Sequence, residues 1–139
     1  MVLRKNIILL CALAIIASCN YKTIHVDGLY GSCDFQVPLG WQKSYSADAG
    51  EYYFVYSDSG KIYIEVGSAQ NFINMNQANL YKLYRENLQK GDRFEVSGID
   101  SNGKYWKNVS WYKVNVGYLD VDSSVKEKYD QCIATFDCD

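Results

Sequence analysis

Histidine and proline each occur once in this 139-residue chain, as His25 and Pro38. With no second histidine there is no H-E-x-x-H zinc site, and His25, set in a short polar segment, reads as a solvated side chain rather than the base of a triad. Neither G-x-G-x-x-G nor G-K-[ST] occurs, so a glycine-rich phosphate loop is missing. No C-x-x-C pair is present, which removes the usual spacing of a thiol redox site. A formal charge of −2 gives no basic footprint for nucleic acid. The long apolar run at the N-terminus, from Ile7 to Ala17, has eleven residues, well short of the ~20 that a membrane-spanning helix needs. Disorder is excluded by the opposite signal, because 15% of the chain is Phe, Trp or Tyr. What remains is one small globular domain with no cofactor motif and no catalytic constellation, read as non-enzymatic.

The N-terminus carries the most specific pattern. Arg4 and Lys5 form a positive n-region ahead of the short apolar run, which reads as a signal-peptide core. Behind it, Ile16-Ala17-Ser18-Cys19 resembles the lipobox of bacterial lipoproteins: a branched apolar residue, two small residues that fit a peptidase groove, then a cysteine. The resemblance implies cleavage before Cys19, acylation of its thiol, and a domain held to the membrane outside the cytoplasm, in the bacterial cell envelope. Loss of residues 1–18 takes Arg4 and Lys5 from the 14 basic side chains and no acid from the 16, leaving a balance of −4. Attachment then rests on acyl chains, at ~0.8 kcal/mol per buried CH₂. The expected organisation is a signal peptide over 1–18, a lipidated tether over 19–28 and a single domain over 29–139.

Within that domain, alternation and turn residues predict strands over 33–37, 51–57 and 61–67, the last two joined at Asp58-Ser59-Gly60 with the glycine at positive φ. Leu80, Leu83, Tyr84 and Leu88 share one stripe, which predicts a helix over 77–90. Strands follow over 94–99 and 104–119, joined at Asn102-Gly103 in a two-residue turn, and a last strand covers 126–136. The expected fold class is α+β: an antiparallel sheet of about six strands, with one main helix between strands 3 and 4.

Phe35-Gln36-Val37-Pro38-Leu39-Gly40-Trp41 and Asn102-Gly103-Lys104-Tyr105-Trp106 resemble the F-x-[IV]-P-x-G-W opening and the later hairpin of PsbP-like domains. The resemblance implies a non-catalytic fold that binds other macromolecules, here a PsbP-like sandwich lacking the closing C-terminal helix, since the chain ends soon after its last predicted strand.

Three cysteines remain besides Cys11 and Cys19. Cys132 and Cys138 lie six residues apart, ~20 Å in a strand, too far to pair. Cys33 therefore has two possible partners, with Cys138 favoured because Cys132 shares a strand face with Ala134 and Phe136. Asp120-Val121-Asp122 begins like a calcium loop, but Val125 and Gln131 stand where glycine and glutamate belong, so it reads as a turn and no metal is expected. Parity along 104–119 groups Trp106 with Val114 and Val116 as core and leaves Tyr105 and Trp111 on a second aromatic face, the candidate partner surface. The partner class is an envelope protein or glycan. The alternative reading is a small envelope inhibitor or immunity protein that blocks an exported enzyme or toxin.

Overall fold

The computed structural model describes residues 20–27, 31–46, 50–66 and 92–139. Its strands are β1 (Tyr21–Asp27), β2 (Ser32–Pro38), β3 (Lys43–Ser46), β4 (Glu51–Val55), β5 (Lys61–Val66), β6 (Phe94–Ile99), β7 (Tyr105–Trp111), β8 (Val114–Val121) and β9 (Asp137–Cys138). One helix, α1 (Lys126–Ile133), precedes β9. The strands form two antiparallel sheets, one of three strands ordered β1-β2-β9 and one of six ordered β3-β4-β5-β8-β7-β6.

This corrects the expected α+β class. The described residues are mostly β, in two sheets rather than one, and their helix stands near the C-terminus. The helix expected over 77–90 lies outside the described residues. The stretch expected as a closing strand, 126–136, begins instead as α1, so the expectation that a C-terminal helix is lacking is overturned as well. Its buried residues show why: Tyr129, Cys132, Ile133 and Phe136 recur at i, i+3, i+4 and i+7, one stripe of a helix, while Ala134, which alternation would bury, is exposed.

The turns explain the register. Between β4 and β5 the left-handed residue is Ser59, φ 69°, not Gly60. Gly60 is needed for space, since a Cβ there would lie 2.2 Å from the Tyr129 hydroxyl. Between β6 and β7 the turn is longer than two residues. Asp100 Oδ1 accepts from the Asn102 and Lys104 amides, at 2.8 and 2.9 Å, and only Gly103 takes positive φ. Between β7 and β8, Tyr112 and Lys113 both have positive φ, 48° and 62°, the geometry of a tight hairpin turn.

That turn pairs Trp111 with Val114 and Val109 with Val116, so odd residues of β7 share a face with even residues of β8. The turn reverses the faces expected from unbroken parity along 104–119: Tyr105 and Trp111, expected on a partner surface, pack against the core beside Val109, Val114 and Val116. Trp106 lies on the other face, over Gly98, where a Cβ would come within 2.8 Å of its ring. Asp120, φ 57°, marks the irregularity on β8 that brings Tyr118 and Val121 to the same side.

The core lies on one face of the large sheet. Phe54, Ile62, Ile64, Val109, Val116 and Tyr118 meet Cys33, Phe35 and Val37 of β2, with Tyr129, Cys132, Ile133 and Phe136 from α1 and its exit. Residues 21–27, expected as part of a tether, are instead a strand paired with β2 from Tyr21↔Pro38 to Asp27↔Ser32. Ile24 and Val26 pack against the core while Thr23, His25 and Asp27 face outward.

Candidate functional site

The face of the large sheet opposite the core carries a row of polar and aromatic side chains. Register places Tyr45, Tyr53, Tyr63, Gly117 and Asn108 side by side across five strands. Tyr63 lies flat over Gly117, where a Cβ would fall 2.4 Å from its hydroxyl, and donates to Asn108 Oδ1 at 2.6 Å. The neighbouring row runs Glu51, Glu65, Asn115, Ser110, Phe94. Glu51, Glu65, Asn115, Ser110 and Asn108 are all buried. Asn108 Nδ2 and Ser110 Oγ have no hydrogen-bond partner among the described residues.

The row surfaces at β3. All four β3 residues are exposed, and its outer backbone edge meets no other strand among the described residues. Tyr45 stacks on Tyr53 with centroids 5.2 Å apart and planes 12° from parallel, and Lys43 Nζ stands 5.0 Å from the Tyr45 ring centroid. Ser44, Ser46 and Tyr52 complete a shallow depression of ≈ 230 Å³ beside this stack. Such an edge offers backbone donors and acceptors, hydroxyls and an aromatic rung within one short strand, the elements by which an added strand is held.

A second, open cleft of ≈ 620 Å³ lies among Gln42, Ser57, Ser59, Lys61, Asn102 and Lys104. Its two lysines are already neutralised, Lys61 by Asp120 and Lys104 by Asp122, each at 2.6 Å. The stretch that began like a calcium loop therefore spends its carboxylates on ion pairs. No group of three or more His, Cys, Asp or Glu side chains among the described residues is placed to hold a metal.

The other residues singled out from sequence fall as follows. Cys19 lies outside the described residues. Cys33 and Cys138 stand opposite each other on β2 and β9 and are disulfide-bonded. Cys132 is a free, buried thiol that donates to the Gln36 carbonyl at 2.7 Å; burial pushes it up to about 12. Tyr105 and Trp111 are half-buried, under Lys126 at 5.6 Å and Arg93 at 5.8 Å from the ring centroids. His25 is no lone linker side chain: its Nδ1 is 2.7 Å from Asp34, across the β1–β2 pair. That hydrogen bond raises its pKa against partial desolvation, with the charges of Asp34 and Asp27 adding to the rise.

Sequence reasoning missed Tyr45, Tyr53 and Tyr63. The available signal was Tyr53 and Tyr63, each five residues from Asp58, which puts them opposite each other in a hairpin centred there. β3 itself, Lys-Ser-Tyr-Ser, has no apolar alternation to reveal it. No helix among the described residues is long and apolar enough to cross a membrane. No protein family, curated protein or solved structure matches the chain.

Proposed function

We propose that this protein is a bacterial lipoprotein of the cell envelope, anchored through acylated Cys19, whose exported domain is a non-catalytic interaction module. The lipid anchor is supported by Ile16-Ala17-Ser18-Cys19 behind a short apolar run. The observation that carries the binding role is β3, an edge strand with all four residues exposed, whose Tyr45 stacks on Tyr53 of β4. Its chemistry suits an extended segment of an envelope protein, which pairs along the outer edge of β3 and lays a side chain against the rings.

Cross-linking in the native envelope, followed by mass spectrometry, tests this. The parent should give a defined cross-linked partner. Tyr45→Ser and Ser44→Pro should each lose it while keeping the parent's level of expression and thermal unfolding, because neither side chain is in the core. Equal capture by parent and both variants, or no specific partner from any of them, would remove the β3 edge as the binding site.

A further inference from the structure

We infer that the domain does not hang from its lipid on a tether but rests on the bilayer surface, through a patch made by Tyr21, Leu39 and Trp41 with Lys22 and Lys43 beside it. The inference rests on the reading of Cys19 as the acylated residue.

Chain length carries the first part. Only Asn20 separates Cys19 from β1, and its carbonyl accepts from the Leu39 amide at 2.8 Å. Consecutive Cα atoms are ~3.8 Å apart. An acyl group on Cys19 therefore enters the bilayer within a residue or two of Leu39 and Tyr21, with no linker to let the domain swing away. This end of the domain must lie at the headgroups.

The residues at that end match the location. Leu39 is 48% exposed and Tyr21 39%. Gly40, φ 93°, turns the chain between Leu39 and Trp41, and Trp41 packs edge-on against Phe54 at 5.1 Å while staying only partly buried. An aliphatic residue with a tyrosine and a tryptophan is the composition favoured at a membrane–water interface. Lys22, 5.9 Å from the Trp41 ring centroid, and Lys43 have no carboxylate partner among the described residues, in contrast to Lys61 and Lys104. Long side chains of this kind bury their stems and keep the ammonium at the headgroups.

The far end of the small sheet has the opposite character. β1 rises ~3.3 Å per residue, so Asp27 lies about 20 Å beyond Tyr21. Asp34, Asp137 and Asp139 gather at that end with it, through the Asp34↔Asp137 pair and the bond from the Asp139 amide to the Ser32 carbonyl. The three-stranded sheet is thus polarised along its length, with Lys22 beside the lipid and carboxylates held away from an anionic surface.

Bromine quenching of tryptophan fluorescence tests the contact. The full chain, processed and acylated in a bacterial host, is reconstituted into vesicles of phosphatidylethanolamine and phosphatidylglycerol, 3:1, that carry shallow brominated acyl chains. Quenching should be substantial in the parent, in Trp106→Phe and in Trp111→Phe, and should fall at least two-fold in Trp41→Phe. Leu39→Asp, a change at an exposed position, should lower quenching two-fold or more with acylation and thermal unfolding unchanged. Undiminished quenching in Trp41→Phe and Leu39→Asp, or none in the parent, with Cys19 acylated, overturns the docking and leaves the anchor standing. A mature chain without lipid on Cys19 overturns both.

Discussion

Two buried tyrosines hold α1 to the large sheet with their hydroxyls as well as their rings, and the hydroxyl of a third ties the end of β4 to β2. Tyr129 donates to Asp58 Oδ1 at 2.6 Å, Tyr118 to Asp130 Oδ1 at 2.9 Å and Tyr56 to the Pro38 carbonyl at 2.7 Å. Burial first, then for Tyr118 and Tyr129 the hydrogen bond to a carboxylate, and nearby negative charge push all three phenols well above their usual range, so they are protonated donors at neutral pH. A hydrogen bond to a charged group contributes ~1.5–3 kcal/mol, and Tyr129→Phe should lose about that in urea unfolding. Ser110→Ala is the contrast: its Oγ is buried without a described partner, so its removal should change stability by less than about 1 kcal/mol. Asp130 sets an acid limit. Burial alone would raise its carboxyl, but hydrogen bonds from Lys126 and Tyr118 and the charge of Lys107 outweigh it and hold the carboxyl below its ordinary value. The stability it contributes is present above the unfolded value near 3.8 and is lost as pH falls through the lower folded value. The stability gap between parent and Asp130→Asn should therefore be constant from pH 5 to 7 and narrow below pH 4.

At the level of elements, the hairpins were legible where turn chemistry is local, and misread where a bulky pair makes the turn. The β4–β5 hairpin follows from Asp58-Ser59-Gly60, although Ser59 rather than Gly60 takes the left-handed conformation. Tyr112-Lys113 contains no Gly, Asn or Pro, so 104–119 read as one strand and the faces beyond it were inverted. Trp111 stacking on Tyr112, with centroids 5.5 Å apart and planes 12° from parallel, helps to hold that unusual turn. A left-handed non-glycine residue costs ~1–2 kcal/mol, part of which glycine gives back through its freer unfolded state. Lys113→Gly should accordingly stabilise the protein by about 1 kcal/mol, read by chemical denaturation. The helix α1 was legible in principle from Tyr129, Cys132, Ile133 and Phe136, but Cys132, Ala134 and Phe136 also alternate, and two apolar periods compete in so short a window. β1 escaped because only Ile24 and Val26 of its seven residues are core-facing hydrophobics. The tyrosine row of the candidate site is a property of cross-strand register, which no single segment displays.

Over the whole molecule, Cys33–Cys138 closes almost the entire described domain into one loop, the two positions standing 105 apart in the sequence. Chain-entropy arguments give ~4–5 kcal/mol for a loop of that size, and measured losses on removal run from about 2 to 5. The double change Cys33→Ala and Cys138→Ala should fall in that range by denaturant unfolding. Cys132 should remain unreactive to thiol reagents until the protein unfolds, because its thiol is buried and pushed up to about 12. The disulfide, α1 and the small sheet together fasten the start of the folded domain to its end, and the residue proposed to carry the lipid lies one position before Asn20. Anchoring of this fold through the proposed lipid on Cys19 is tested by the mass of the N-terminal peptide of the mature protein isolated from its membrane. The peptide should begin at Cys19 and carry a diacylglycerol, replaced in Cys19→Ala by an unprocessed, unacylated precursor. A parent N-terminus without lipid, or processing of Cys19→Ala like the parent, would contradict it.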